Sequence, residues 1–296
     1  MGSTIVPTIN WGSTGHGDFS ICNKDNTSGY LIGSDFNSIA GTLASAYLNR
    51  WYMWQYKDDK LVVSKLQEWK FPWGYLPPGI IMHNGKIIIA AESLDRAGEV
   101  CSTVINDPKK NYALKPISKE RGEYPILAKK GDTVVLTFAR FEGYYRDVTR
   151  AKLFMTTSKD GLTWTSPRSI INSTGIIQAN QVIDENGNIF ILFSTISHEL
   201  RASVPANYNY SCGLQATRIT TLWLTWSNDN GASFQEPVKV TEGINADHYP
   251  EIAIIEKHLR LFWTRYTSTK PDDPYSGIIA GNIITSNYGL TSEIIK

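Results

Sequence analysis

Short apolar runs separated by tight polar turns recur along the 296-residue chain. The runs are only a few residues long and rich in β-branched and aromatic residues, which is typical of strands. Hairpins of this kind are read at 18–32, 79–89, 124–138, 182–192 and 252–263. The pairs Asn84-Gly85 and Asn186-Gly187 predict two-residue hairpin turns, because such turns require positive φ. The pattern predicts an all-β protein.

Each hairpin is followed by a third apolar strand, a polar turn and a short fourth strand. A four-stranded unit that repeats along a chain is typical of a β-propeller, since no blade buries both of its faces without neighbours. We therefore predict one propeller domain over 1–296, with four-stranded antiparallel blades at 18–70, 76–120, 122–175, 177–242 and 247–296. Five blades are preferred and six are possible. Residues 4–9 are expected to close the ring, and 41–55 fits a helix or a strand.

Two of the polar turns share a motif. It consists of Ser158, Asp160, Gly161 and Trp164 in the first turn and of Ser227, Asp229, Gly231 and Phe234 in the second; 286–291 keeps only part of it. In such a turn the aspartate accepts hydrogen bonds from turn amides, the glycine takes a left-handed conformation and the aromatic ring packs between strands. The first turn has one residue fewer between its aspartate and glycine.

This motif resembles the Asp box, S-x-D-x-G-x-[ST]-[WF], of BNR repeats in the sialidase-like β-propeller superfamily. The resemblance implies a propeller fold and a carbohydrate-active protein, most simply a glycoside hydrolase. It also implies a structural role for the two motifs, because the box lies away from the active face in that superfamily.

Carboxyl residues stand where the inner strand of a blade begins. Asp18, Glu123 and Asp247 do so in three different blades, so we expect them to point into one axial cavity. Glycoside hydrolysis requires two facing carboxyl groups, one a protonated acid and the other a base or nucleophile. We assign Asp18 as the base or nucleophile, Glu123 as the acid and Asp247 as the group that tunes their pKa. The alternative is that these acids cap turns or hold water and ions in the channel.

Cationic and aromatic residues are expected at the same face, where they would contact the substrate. These residues are Arg96, Arg140, Tyr145, His248 and Arg265. Arg140 and Arg265 match each other, because both end the second strand of a blade. An arginine there could bind an anionic group through its planar fork.

The sialidase resemblance is incomplete at one point. Sialidases hold the substrate carboxylate with three arginines, the first of which lies in an R-I-P motif. The corresponding places here read Leu-Pro-Pro at 76–78, Glu-Tyr-Pro at 123–125 and His-Tyr-Pro at 248–250. The proline is kept and the arginine is absent. A second interpretation therefore stays open, namely a non-catalytic propeller that binds a glycan or a protein.

The composition limits the classes of partner that are expected for this protein. The chain has 29 Lys and Arg against 28 Asp and Glu, for a net charge of +1, which argues against a nucleic-acid-binding protein. Its apolar runs are too short for a membrane helix, so no membrane insertion is expected. The scattered histidines and Cys22, Cys101 and Cys212 lack the spacing of a metal site, and neither a metal nor a cofactor is expected. The expected partner is a glycan or glycoconjugate.

The cellular location and the oligomeric state are left open. Three N-x-[ST] sequons, at Asn26, Asn172 and Asn209, are compatible with secretion. An extracellular location is favoured if a leader peptide has been removed.

Overall fold

The computed structural model describes residues 18–35, 48–58, 60–70, 79–93, 99–107, 109–110, 112–140, 151–196, 220–243, 246–255, 258–268 and 278–288. Within these ranges the chain forms eighteen strands and no helix. The prediction of an all-β protein built from antiparallel sheets is confirmed. Leu48–Lys57 is a strand. The part of segment 41–55 that lies in this range is therefore a strand and not a helix. The proposed closing segment 4–9 lies outside the described residues.

The strands form four antiparallel sheets. The first has the order β1 (Asp18–Asn23), β2 (Ser28–Asp35), β3 (Leu48–Lys57), β4 (Lys60–Lys70). The third has the order β12 (Ile176–Ile183), β13 (Ile189–Ile196), β14 (Thr220–Ser227), β15 (Val238–Lys239). The fourth contains β16 (Ala246–Ile255), β17 (His258–Ser268), β18 (Ile278–Tyr288). The first and third sheets coincide with predicted four-stranded units.

The second sheet has seven strands. In chain order they are β5 (Gly79–His83), β6 (Lys86–Ser93), β7 (Glu99–Ile105), β8 (Lys115–Lys130), β9 (Thr133–Arg140), β10 (Lys152–Ser158), β11 (Arg168–Ser169). We expected separate strands on the two sides of the boundary between 76–120 and 122–175. Instead, β8 continues across that boundary and pairs with β7 on one side and β9 on the other, so both of its edges satisfy their backbone hydrogen bonds. The number of blades stays a prediction.

The chain divides into two compact units, Met1–Leu136 with Thr156–Pro167 and Thr137–Met155 with Arg168–Lys296. In the first unit, alternate residues of β6 (Ile87, Ile89 and Ala91) pack with Ile32 of β2 and Ile105 of β7. The spacing of two follows from the alternation of side chains along a strand. These side chains are almost wholly buried, and burying one isoleucine contributes about 1.5–3 kcal/mol.

The second unit has a core of the same kind. It contains Phe190, Leu192, Leu222, Leu224, Trp226, Ile252, Leu259, Leu261 and Trp263, which come from the third and fourth sheets. The two sheets therefore pack face to face through alternating apolar positions, as neighbouring propeller blades do. This packing brings the inner strands β12 and β16 side by side.

One predicted hairpin turn is confirmed and the other is wrong. Asn84 and Gly85 both have positive φ, 49° and 74°, and they join β5 to β6 directly. In the other hairpin Gly187 has a φ of 86° and Asn186 is not left-handed. The reason is a side chain: Asp184 accepts hydrogen bonds from the backbone N–H (2.7 Å) and Nδ2 (2.7 Å) of Asn188. These bonds favour a longer loop between Ile183 and Ile189.

The first Asp–Gly turn, residues 158–164, is closed by its own polar groups. The Oδ1 atom of Asp160 accepts hydrogen bonds from the backbone N–H of Leu162 (2.8 Å) and of Thr163 (2.7 Å). The Ser158 hydroxyl accepts one from the N–H of Gly161 (2.8 Å). These bonds hold the pKa of Asp160 well below its usual range, mainly through the backbone N–H of Thr163.

This turn also docks on the neighbouring strands β6 and β7. The indole Nε1 of Trp164 donates to the hydroxyl of buried Ser102 (2.9 Å), which in turn donates to the carbonyl of Gly161 (3.0 Å). A Cβ atom on Gly161 would lie 2.6 Å from Cδ1 of Ile88, so the backbone touches the sheet at this point. The docking uses both polar and apolar contacts.

The second Asp–Gly turn, residues 227–234, has the same internal pattern and a different contact surface. Asp229 accepts hydrogen bonds from the backbone N–H (2.9 Å) and the hydroxyl (2.6 Å) of Ser233. A Cβ atom on Gly231 would lie 2.7 Å from Cε of Met155 and 3.2 Å from Cδ1 of Ile189. Phe234 replaces the tryptophan and has no ring N–H to donate. In this turn, Gly231 packs on the apolar side chains of Met155 and Ile189.

Candidate functional site

The three carboxyl residues assigned to catalysis lie on inner strands. Asp18 is the first residue of β1 and Glu123 lies within β8, both in the first unit, whereas Asp247 is the second residue of β16, in the second unit. The side chains of Asp18 and Glu123 fall outside the described part of the chain. The convergence of the three carboxyl groups on one cavity stays a prediction.

Glu123 is followed by an unusual backbone conformation. Tyr124 has a φ of 55°, in the left-handed region that residues other than glycine, asparagine and aspartate seldom occupy, at a cost of about 1–3 kcal/mol. Such strain persists only where the surroundings enforce it, and it is common at functional sites. A Cβ atom on Gly79, the first residue of β5, would lie 2.6 Å from the Pro125 carbonyl oxygen. The backbone at Tyr124 and Pro125 is therefore packed closely against β5, a neighbouring inner strand.

The second Tyr-Pro pair interrupts β16 in a related way. The pairing of β16 with β17 shifts register between His248 and Glu251, across Tyr249 and the buried Pro250. Proline has no N–H for the ladder and is tolerated in sheets at bulges. Bulges next to active sites change the direction of a side chain. The sequence match between 123–125 and 248–250 thus corresponds to backbone irregularities beside Glu123 in one unit and beside Asp247 and Glu251 in the other.

Asp247 is completely buried, with a relative exposure of 0%. Its backbone carbonyl accepts a hydrogen bond from the hydroxyl of Thr220, the first residue of β14 and also fully buried. In the register of β16 and β17, Asp247 lies opposite Arg265, and His248 lies opposite Thr264. The hydrogen bond from Thr220 of β14 and the pairing with β17 thus hold the start of β16 in place.

Among the proposed substrate-binding residues, Arg140 has a described side chain. It ends β9, and its Cζ atom lies 4.7 Å from the centroid of the Phe154 ring, a distance at which a cation–π interaction stabilises the guanidinium. Phe154 in turn stacks on Phe138, with 6.1 Å between centroids. The side chains of His248 and Arg265, and the whole of Arg96 and Tyr145, lie outside the described residues.

A fourth carboxyl residue, Glu251, has a distinctive environment that our assignment of functional residues missed. The Asn180 amide nitrogen on β12 donates a hydrogen bond to Oε2 of Glu251. The residue as a whole is exposed, yet protein atoms crowd its carboxyl group, and this burial raises its pKa to about 7. The sequence places Glu251 directly after the Tyr-Pro pair. Nothing in it reveals the partner, which lies 71 positions away.

Among the described residues, no group of three or more His, Cys, Asp or Glu side chains is arranged to hold a metal ion. In the same part of the chain, no helix is long and apolar enough to cross a membrane.

Comparison with known proteins identifies the fold. No family profile matches the sequence, and no curated protein matches it either. The chain is similar to the structure of an α-L-arabinofuranosidase from Fusarium graminearum in complex with an iminosugar inhibitor, with 14% identity and a TM-score of 0.59, covering 97% of this chain and 80% of that one.

Two arabinan-degrading enzymes are also similar. The endo-arabinase from Bacteroides thetaiotaomicron has 13% identity and a TM-score of 0.52, covering 94% of this chain and 96% of that one. The α-L-arabinanase from Penicillium chrysogenum, complexed with arabinobiose, has 13% identity and a TM-score of 0.53, covering 88% and 71%. All three are propeller glycoside hydrolases. At these identities the likeness shows the fold, and this chain has the fold of a β-propeller.

Proposed function

We propose that this protein hydrolyses a glycosidic bond, with arabinose-containing glycans as the first substrate class to examine. The observation that carries the proposal is a pair of local backbone irregularities on two inner strands. Tyr124 of β8 has a positive φ beside Glu123, and the pairing of β16 shifts register between His248 and Glu251. The likeness in fold to arabinan-degrading hydrolases supports a carbohydrate as the ligand.

The proposed roles follow the chemistry of glycoside hydrolysis. Glu123 protonates the oxygen of the leaving group, while Asp18 either activates a water molecule or attacks the anomeric carbon itself. Asp247 tunes the pKa of the acid through its charge. Arg96, Arg140, Tyr145, His248 and Arg265 are proposed to contact the glycan. The two Asp–Gly turns are proposed to be Asp boxes of BNR repeats, with a structural role.

A second candidate function is favoured by one feature of the sequence. The three Pro-containing strand entries, 76–78, 123–125 and 248–250, all lack the arginine that sialidases place before their proline. A propeller that has lost such a residue could bind a glycan or a protein without cleaving it. A fold by itself does not decide between the two.

A panel of chromogenic glycosides tests the proposal. It includes α-L-arabinofuranosides, β-fructofuranosides and sialosides, incubated with the wild type, Asp18→Asn and Glu123→Gln. Turnover of one class by the wild type, lowered by about 10²–10⁴-fold in both variants, is the expected result. Absence of turnover across the panel, together with specific binding on a glycan array, would instead support the non-catalytic module.

A further inference from the structure

The contact between Asn180 and Glu251 joins two inner strands within the second unit. Asn180 lies on β12 and Glu251 on β16. Glu251 directly follows the register shift that spans Tyr249 and Pro250. Asn180 is half-buried and Glu251 is exposed. Asn180 therefore anchors the carboxyl group from one side, while part of the residue stays accessible to a ligand.

The orientation of the Asn180 amide follows from its second partner. The backbone N–H of Gln181 donates a hydrogen bond to Oδ1 of Asn180 (2.6 Å). A backbone N–H can only donate, so the oxygen end of the amide must face it. The nitrogen end then faces Glu251 and donates to Oε2. The other carboxyl oxygen, Oε1, is left to carry the proton when Glu251 is neutral.

We propose that Glu251 is a substrate-binding residue whose protonated carboxyl group donates a hydrogen bond to an oxygen atom of the glycan, while Asn180 holds it in position. The proposal rests on the carbohydrate function proposed above. It adds to the three assigned carboxyl residues a fourth that binds the substrate and takes no part in bond cleavage.

The chemistry suits a sugar ligand. A neutral carboxyl group offers one donor together with acceptors, as a hydroxyl-rich ligand requires. The ionised form has no proton to donate, and the partial burial of the carboxyl group disfavours that form. Since burial raises the pKa of Glu251 to about 7, both forms are populated near neutral pH.

Ionisable groups are unevenly distributed over the strands that pack around this site. Strands β12, β13 and β14 carry no ionisable side chain. On β16 and β17 the ionisable residues besides Glu251 are Asp247, His248, Tyr249, His258, Arg260, Arg265 and Tyr266. Burial, and not a charge, is the cause of the raised pKa of Glu251.

Calorimetric binding of arabinobiose as the probe, from pH 5.5 to 8.5, tests the proposal on the full-length chain. For the wild type we expect the affinity to be about thirtyfold lower at pH 8.5 than at pH 5.5, because the protonated fraction falls tenfold per unit above a pKa of about 7. Glu251→Gln should bind with a nearly constant affinity, since its amide keeps a donor at every pH. The exposed Glu236 provides the control, and Glu236→Gln should keep the wild-type pH dependence.

Three outcomes would overturn the inference. A wild-type affinity that does not change with pH, or a pH dependence that survives in Glu251→Gln, removes the role of Glu251 and leaves the proposed hydrolysis standing. Absence of both binding and turnover for every glycan in the panel, at every pH, would remove the carbohydrate function and the role of Glu251 together.

Discussion

Carboxyl groups in two regions of this molecule respond to their surroundings in opposite ways. In the Asp–Gly turns, hydrogen bonds from Thr163 and Ser233 are the main cause that holds the pKa of Asp160 and of Asp229, respectively, well below the usual range. On the inner strand β16, burial raises the pKa of Glu251 to about 7. A carboxylate supplied with donors stabilises a turn, whereas a partly buried carboxyl group keeps its proton up to a higher pH and can donate it to a ligand.

The largest expected effect is on activity, and it distinguishes the carboxyl residues of the inner strands from those of the Asp–Gly turns. Asp18→Asn and Glu123→Gln should each lower kcat/KM by about 10²–10⁴-fold, the range associated with general acid–base catalysis. Asp160→Asn should leave kcat/KM unchanged, because its carboxylate serves the turn. Initial rates on the best substrate of the glycoside panel give both values. Equal losses in all three variants would contradict the division.

The next effect concerns the backbone of the first Asp–Gly turn. Gly161 has a φ of 75° and touches Ile88, whereas Gly85 has a similar φ of 74° and a Cβ atom added there would meet nothing within 4 Å. Gly161→Ala should lower the free energy of unfolding by about 2–3 kcal/mol, from strain and overpacking together. Gly85→Ala, the matched control, should cost about 1 kcal/mol from strain alone.

Urea unfolding midpoints of the two glycine variants measure this difference. A larger loss in Gly161→Ala supports close packing of the turn against β6. Equal losses would mean that the left-handed conformation accounts for the whole effect and that the contact with Ile88 adds nothing.

A smaller effect is expected from the indole of the first turn. Trp164→Phe removes the indole N–H, which donates to the Ser102 hydroxyl (2.9 Å) and also to the Gly161 carbonyl (3.2 Å). The loss of this donor should cost about 1 kcal/mol, the usual net value of one hydrogen bond. A double-mutant cycle with Ser102→Ala measures the coupling, which should be positive because the two residues are in contact. Strict additivity of the two substitutions would contradict the described contact.

The smallest effect is the dependence of stability on the protonation of Glu251. Its pKa in the folded protein is raised above the ordinary 4.5 to about 7. Its stabilising contribution is therefore complete below the ordinary value and is lost as the pH rises through about 7. Glu251→Gln should flatten this dependence and make the protein more stable than the wild type at pH 8.

The magnitude of this gain is expected to be about 1 kcal/mol or less, because solvent around an exposed residue screens the penalty. Thermal or urea unfolding at pH 5 and pH 8 gives the comparison, with Glu236→Gln as the control. A gain of the same size at both pH values would show that protonation of Glu251 is not involved.

Local chemistry made much of the fold predictable. The hairpin of β5 and β6 follows from the Asn84-Gly85 pair, whose two positive φ values are the ones a two-residue turn demands. The hairpin at Asn186-Gly187 shows the limit of the rule, because the Asp184 side chain closes a longer loop. A dipeptide thus predicts a turn but not a competing side-chain hydrogen bond.

Longer-range features were harder to predict. The continuity of β8 depends on partners along both of its edges, which a pattern of apolar residues does not specify. For the candidate site, the sequence identified the Tyr-Pro pairs at 124–125 and 249–250 and the acidic residues beside them. It did not indicate that the pKa of Glu251 is raised, since the burial of Glu251 depends on packing between distant strands.

The most direct test of the proposed hydrolysis is a proton NMR time course of an arabinofuranoside substrate with the full-length chain. The anomeric signals follow the appearance of free sugar and, in the first minutes, its configuration. We expect release of sugar by the wild type and none above background by Glu123→Gln. An unchanged substrate spectrum with the folded wild-type protein, or equal release by the variant, would contradict the proposed function.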